Sequence, residues 1–204
     1  MNKTIAPTKG NLMAAKNTLR LSKQGYEMLD KKRNILIREM MLLIDQAKDV
    51  QDKIENTFAA AYRALGTANL VMGVDHVQDI MHMVMLEDSV EIKQRSVMGV
   101  VIPMVRCAPD DGTLKYSLYA THSALDEAVL KFSEVKQLTV RLAEIENAVY
   151  RLAMNIKKTQ KRANALKNIT IPLYETITKE ISGSLEEKER EEHTRLKIIK
   201  KNKG

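Results

Sequence analysis

Tryptophan is absent from this 204-residue chain, phenylalanine occurs twice and cysteine once. A lone Cys107 cannot close an internal disulfide, which excludes a disulfide-stapled secreted scaffold. Glycine (8) and proline (4) are scarce, so little of the chain is given to tight turns. Nowhere does the sequence approach the ~18 consecutive apolar residues that a membrane-spanning helix needs. Residues 1–16 hold no sustained apolar run between charged flanks, so no signal peptide is expected and a cytosolic setting is the default. Phosphate cradles are missing as well, with neither a GxxxxGKS/T nor a GxGxxG pattern.

What is there is aliphatic and charged. Hydrophobic residues make up 44% and charged residues 29%, with twelve methionines, which is the profile of long helices that bury a narrow stripe and solvate the rest. The breakers collect at Gly66, Gly73, Gly99, Pro103, Pro109 and Gly112. On either side lie long breaker-poor stretches, interrupted only by Pro172 between Gly112 and Gly183. The expected organisation is a single elongated domain. It has an N-terminal helix at 10–65, a middle segment at 66–121 and a C-terminal helix at 122–200.

Both helices repeat in sevens. In the first, Leu12, Leu19, Tyr26, Arg33, Met40, Ala47, Ile54 and Ala61 alternate at three and four residues with Ala15, Ser22, Leu29, Leu36, Leu43, Val50 and Thr57. In the second, Ala128, Val135, Leu142, Val149, Ile156, Ala163, Thr170 and Ile177 alternate with Leu138, Ile145, Leu152, Thr159, Leu166 and Leu173. Three–four alternation is the seam spacing of a coiled coil. The fold class expected is therefore mainly α, a long antiparallel two-helix coiled-coil hairpin whose first arm runs on the order of 85 Å. Folding back at the middle segment sets Leu12 near Glu175 and Arg33 inside the seam opposite Met154. Residues past about 180 are then left without an intrachain partner. A polar seam residue of this kind can fix register while its stem snorkels.

The middle segment reads as a short amphipathic helix at 74–86 followed by a small β-hairpin. Residues 89–107 are rich in Val and Ile, Pro109-Asp110-Asp111-Gly112 is turn chemistry, and alternation resumes at 114–119. Charge is uneven. Residues 1–33 carry eight Lys or Arg against two acids, residues 193–204 five bases and no acid, and residues 69–122 seven acids against four bases. No group of residues reads as catalytic. His76 and His82 point roughly 120° apart on a helix, Asp75 and Asp79 read as a solvated face, and His122, Ser123 and Asp126 crowd one helix start. Cys107 reads as a small buried hydrophobe. Among the methionines, Met81, Met83 and Met85 fit either core filler or a docking surface.

Ordered blocks across nearly the whole chain resemble one family. They begin with Ala6-Pro7-Thr8-Lys9-Gly10-Asn11-Leu12 and Gln24-Gly25-Tyr26-Glu27-Met28-Leu29-Asp30-Lys31-Lys32-Arg33-Asn34-Ile35-Leu36. They continue with Val97-Met98-Gly99-Val100, Pro103, Thr121 and Leu125-Asp126-Glu127-Ala128. They end with Arg162-Ala163-Asn164-Ala165-Leu166, Ile171-Pro172, Glu187-Lys188-Glu189-Arg190-Glu191-Glu192 and Arg195-Leu196-Lys197. The set resembles the D subunit of the V-type (archaeal and bacterial A/V-type) ATPases.

The resemblance implies a non-catalytic central-stalk rotor subunit without a cofactor, transmitting torque between the catalytic head and the membrane ion-translocating ring. It also implies partners: the hexamer of catalytic A and non-catalytic B subunits, the small F subunit of the stalk, and the socket subunit (C or d) of the membrane rotor. Seam residues expected to hold the hairpin are Leu29, Leu36, Met40, Leu43, Ile54, Leu142, Ile145, Val149, Leu152, Ile156 and Leu166. Partner-contact candidates within the matching blocks are Gly25, Arg33, Met98, Gly99, Arg162, Asn164, Glu189, Arg190 and Arg195. Periodicity alone leaves two other readings open, a generic coiled-coil scaffold and a basic nucleic-acid-binding coiled coil. Far-UV circular dichroism of the purified chain should show more than half helix. X-ray scattering should give a radius of gyration above that of a compact globule of this length.

Overall fold

The computed structural model describes residues 6–83, 90–107, 116–117 and 121–203. Helix α1 spans Lys9–Met72 and α2 Val74–Met83; strands β1 (Val90–Val97) and β2 (Val100–Cys107) follow. The last third is α3 (Ser123–Ala165), a π-helical turn (Leu166–Thr170) and α4 (Ile171–Lys203). The chain is mainly α, a helical hairpin with a two-stranded antiparallel sheet in its middle. It forms two compact units, one of Met1–Ile35 with Ile156–Gly204 and the other of Leu36–Asn155.

Local chemistry sets the ends of α1. Thr8 is its N-cap: the Asn11 N–H donates to Thr8 Oγ1 (3.2 Å) and the Leu12 N–H to the Thr8 carbonyl (3.0 Å). Asn11 Nδ2 donates back to the Ala6 carbonyl (2.8 Å), fixing the entering chain. The helix runs through Gly66, an interior glycine costing about 1 kcal/mol relative to alanine. It stops at Gly73, whose positive φ of 88° lets its N–H reach the Asn69 carbonyl at 3.0 Å. The expected end at residue 65 is thus seven residues early.

In the unit Leu36–Asn155 several seam positions are fully buried. Leu36, Ile145 and Leu152 are the largest fully buried side chains. Truncating such a residue to alanine costs about 2–5 kcal/mol. Both phenylalanines sit in one aromatic cluster: Phe58 stacks on Tyr62 (5.9 Å) and Tyr62 meets Phe132 edge-on (5.6 Å). At the end near α2, Ala68, Val77, Ile80 and Leu125 form a core flanked by Leu65, Met72, Tyr116 and Ala124. The α2 helix ends at Met83, and the expected continuation to 86 lies outside the described residues.

The β-hairpin turns at Met98-Gly99, with Val97 paired to Val100 and Val90 to Cys107. The turn chemistry expected at Pro109-Asp110-Asp111-Gly112 lies outside the described residues; residues 90–107 fold back on themselves instead. Both turn residues have positive φ, 50° at Met98 and 77° at Gly99, as a two-residue hairpin turn with the right twist requires. Methionine is an unusual occupant of that conformation, which explains why the turn is hard to see in the sequence. Val100 and Ile102 are buried while β1 is exposed along nearly its whole length, so β2 is the strand that docks on the helices.

In the unit of Met1–Ile35 with Ile156–Gly204 the helices pair antiparallel. Lys9 meets Glu189 (2.9 Å), Lys23 meets Glu175 (2.7 Å) and Arg33 Nη1 donates to Gln160 (2.8 Å). Arg33 therefore faces Gln160 rather than Met154, and Lys23 rather than Leu12 reaches Glu175. The longer α1 shifts the pairing toward higher numbers in the C-terminal arm. Residues 180–189 consequently have an intrachain partner, contrary to the overhang expected past residue 180.

The second departure is the π turn. Pro172 lacks an N–H and its ring opposes a carbonyl one turn back in regular α-helix. The chain here widens to an i→i−5 bond, Ile171 N–H to the Leu166 carbonyl, and the Thr170 hydroxyl donates to the Ala165 carbonyl (3.4 Å). Beyond this turn the heptad phase slips by one residue. Leu173, expected in the seam, is exposed, while Tyr174 is half-buried and Ile181 buried.

Tyr116 provides a pH test of the core. Its hydroxyl donates to Asp126 Oδ1 at 2.6 Å. Burial foremost, then the bond to Asp126 and its charge, push the phenol up to about 12. A folded-state value above the unfolded one means the contribution is complete below about pH 10 and is lost as pH rises through about 12. Tyr116→Phe should lower stability by about 1 kcal/mol at neutral pH. Urea unfolding should show the gap to the parent closing between roughly pH 10 and 12.

Candidate functional site

A connected polar cluster lies in the terminal helix pair, where the heptads place Arg33. Its Nη1 donates across the pair to Gln160 Oε1 (2.8 Å) and its Nη2 pairs with Asp30 Oδ1 (2.7 Å). Nη2 and Nε also reach Asn34 Oδ1 (3.1 and 3.4 Å). Gln160 in turn donates through Nε2 to Asn164 Oδ1 (2.7 Å). The guanidinium fork suits this task because its donors point in fixed directions at several acceptors. Two partner-contact candidates, Arg33 and Asn164, are thus joined through Gln160, a residue the sequence reading did not single out. The signal available was its one-turn spacing to Asn164.

About two helical turns along α1, Gly25 faces Leu166, and the ammonium of Lys167 sits 5.9 Å from the Tyr26 ring centroid. A Cβ on Gly25 would meet Leu166 Cδ1 at 3.7 Å, ordinary contact, so packing within the chain does not demand glycine there. Arg162 is exposed on the same helix.

Met98 and Gly99 form the hairpin tip, with Met98 exposed. A non-glycine residue in the left-handed region costs about 1–2 kcal/mol. The hairpin rests on α1 and α3 through Arg95 to Glu39 (3.6 Å), the Val105 N–H to Glu144 Oε2 (3.3 Å) and Arg151 Nη1 to the Val101 carbonyl (3.3 Å). Beneath it is a cavity of about 270 Å³ lined by Glu39, Leu43, Arg95, Ile102, Arg141 and Glu144 among others. Its charges are matched within the wall, since Arg141 also binds Glu144 at 2.8 Å. That makes it the seat of the hairpin and leaves no unopposed charge for a ligand.

Toward the C-terminus, Glu189 holds Lys9, and its hydrogen bond and charge raise the Lys9 ammonium above the usual lysine value. Arg190 is exposed and accepts the Thr194 hydroxyl on its carbonyl (2.8 Å); Arg195 lies 3.9 Å from Glu191. Leu196, Ile198 and Ile199 stand exposed among lysines.

Leu36, Ile145 and Leu152 are buried, and Leu29, Met40, Leu43, Ile54, Leu142, Val149, Ile156 and Leu166 are half-buried. His122 and Asp126 do structural work, and Ser123 opens α3. His122 caps α3, its Nδ1 accepting the Ala124 N–H (3.2 Å) and its carbonyl the Leu125 N–H (2.8 Å), while Asp126 holds Tyr116. Among the described residues no group of three or more His, Cys, Asp or Glu is placed to hold a metal ion. No described helix is long and apolar enough to cross a membrane. What the sequence reading missed is a third heptad line, Ala14, Leu21, Met28, Ile35 and Leu42, running down the outside of α1 with every member exposed. Its seven-residue spacing was the available signal.

The Arg33 cluster is testable. A double-mutant cycle of Arg33→Lys and Gln160→Ala, read by chemical unfolding, should give a coupling of about 1 kcal/mol, because lysine lacks the fork.

Among the described residues the arrangement is one of helix faces and a hairpin, and comparison with known proteins gives it a family. The family model for the ATP synthase D subunit matches residues 11–201. The V-type ATP synthase D subunit of Thermotoga neapolitana is 44% identical over 97% of this chain and 97% of its own length. The A-type ATP synthase D subunit of Methanobrevibacter smithii is 36% identical (96% of this chain, 86% of its own), and that of Pyrococcus abyssi 35% (96% and 93%). Matched over nearly its whole length, this chain belongs to the family of ATP synthase D subunits.

Proposed function

We propose that the chain is the central rotor shaft of a V/A-type rotary ATPase. It transmits torque between the catalytic hexamer of A and B subunits and the ion-translocating ring in the membrane. The observation that carries this reading is α1, a single unbroken helix of 64 residues with a mostly apolar seam. A shaft must resist bending and twisting, and sustained helix–helix packing provides that stiffness more effectively than turns and loops. The chain contributes no catalytic group of its own; ATP chemistry belongs to the hexamer. It reaches the membrane through the socket subunit (C or d), and the small F subunit of the stalk binds alongside.

Two measurements test the reading. The purified chain should hydrolyse no ATP, yet omitting it from the reconstituted enzyme should abolish ATP-driven ion pumping; turnover by the single chain would overturn it. The tail gives a finer test. Because Glu189 is tied to Lys9, deletion should begin after it. Removing residues 194–204 should leave thermal unfolding of the free chain within about 0.5 kcal/mol of the parent, while weakening association with the hexamer.

A further inference from the structure

The register of the β-hairpin decides which of its groups face where. Val97 and Val100 flank the two-residue turn, and hydrogen-bonded pairs alternate with unbonded ones from there. Arg95 with Ile102 and Lys93 with Met104 are therefore bonded within the ladder. Val101, Pro103 and Val105 turn their backbone polar groups to the outer edge of β2 instead. That edge meets α3. The Val101 carbonyl accepts from Arg151 Nη1 (3.3 Å), and the Val105 N–H donates to Glu144 Oε2 (3.3 Å). Pro103 between them has no N–H to offer, which disfavours a third strand and suits contact by side chains. The spacings agree: Val101 to Val105 rises about 13 Å along a strand, and Glu144 to Arg151 about 10.5 Å along a helix.

This seat is loosely built. Val100 (3% exposed) and Ile102 (5%) are the buried residues of the hairpin, and both lie on the helix-facing side of β2. Beside them is the cavity of about 270 Å³, walled by apolar Leu43 and Ile145 and by charged Glu39, Arg95, Arg141 and Glu144. A water takes up about 30 Å³ of liquid, and well-packed interiors hold few voids larger than that. The links from Arg95, Val101 and Val105 to the helices are 3.6, 3.3 and 3.3 Å long, beyond the usual hydrogen-bond range. Glu144 is the firm point among them. Its side chain is only 13% exposed, and Arg141 holds its other oxygen at 2.8 Å. The carboxylate is thus fixed from the helix side, ready to accept the Val105 N–H.

We propose that the hairpin is a strap that swings off α1 and α3 as an intact two-stranded unit, with Glu144 as its latch, while the helices beneath stay folded. The ladder bonds lie inside the hairpin, so opening breaks none of them. Closed, the strap covers Val100 and Ile102. Open, it brings them to the surface with Leu43 and Ile145 and enlarges the apolar area in the middle of the chain. The inference goes beyond the shaft reading and does not depend on it.

The test uses the full chain with Cys107→Ser and one reporter cysteine, Val100→Cys in the strap or Ala128→Cys on a buried face of α3. Each is followed by its rate of modification with a thiol reagent. Without denaturant the strap reporter should react at least about tenfold faster than the helix reporter. Its rate should barely change in low urea, while that of the helix reporter climbs. Glu144→Ala should speed the strap reporter about tenfold and leave the helix reporter unchanged, with Glu144→Gln, which keeps an acceptor, falling between. Ile102→Cys replaces Val100→Cys if that variant unfolds. Hydrogen exchange should protect the ladder amides of Lys93, Arg95, Ile102 and Met104 more strongly than the reporter thiol is protected. Two reporters with one rate and one urea dependence overturn the strap. A strap reporter indifferent to Glu144→Ala overturns the latch, and ladder amides protected no better than the thiol overturn the intact unit. All of this is read on the single chain, so a failure of ion pumping in the assembled enzyme would sink the shaft reading and leave the strap standing.

Discussion

Everything in this molecule depends on burying a narrow apolar stripe along very long helices. An isolated helix in water is held by backbone bonds that gain little over solvent, so its persistence rests on the face it covers. Here the covering surface is another stretch of the same chain. In each unit most buried residues are small or aliphatic, with alanine at Ala15, Ala61, Ala68, Ala128, Ala148 and Ala163 almost completely buried. Buried alanines let helix axes approach closely and lose no side-chain entropy on packing. That explains how the pairing persists with only two phenylalanines and no tryptophan in the chain.

Along a seam of this kind apolar contacts are forgiving, and a slip of one heptad would bury a similar surface. Discrimination comes from the exceptions. Arg33 with Asp30, Gln160 and Asn164 forms a polar layer whose donors and acceptors match in one alignment. Displaced, the guanidinium would lose its acceptor on the facing helix, a penalty that apolar neighbours cannot offset. The ion pairs of Lys9 with Glu189 and Lys23 with Glu175 agree with that alignment, although exposed pairs contribute little by themselves. The Tyr62 and Phe132 contact is a steric marker of the same sort in the other unit.

Membership of the family of ATP synthase D subunits gives these features a shared context. The shaft proposed for this chain needs continuous helices, few breakers and surfaces that others can grip. The breaks that do occur are specific. The π turn at Leu166–Thr170 sets Leu173 outside, and the hairpin places Met98 at an exposed tip in an unfavourable backbone conformation. Each sacrifices local stability to present an apolar side chain to solvent, a combination expected where another surface is to be met.

Sequence alone determined the helical class, the two seams, the hairpin in the middle and the family, because period-seven apolar spacing and ordered blocks are local properties that need no coordinates. It also picked out Arg33, since a charged residue at a seam position is conspicuous. It did not determine the pairing register, because successive heptads are nearly equivalent and the position of the bend decides which ones meet. Gly66 looked like a helix end, and only the packing of Ala68 and Leu65 against α2 shows why the helix continues to Met72. The turn at Met98-Gly99 was hidden because its first residue is not a turn former. The slip from Leu173 to Tyr174 was hidden because heptad counting assumes an unbroken α-helical period. Register, turn and slip are each settled by which distant residues touch, and that is decided by tertiary structure.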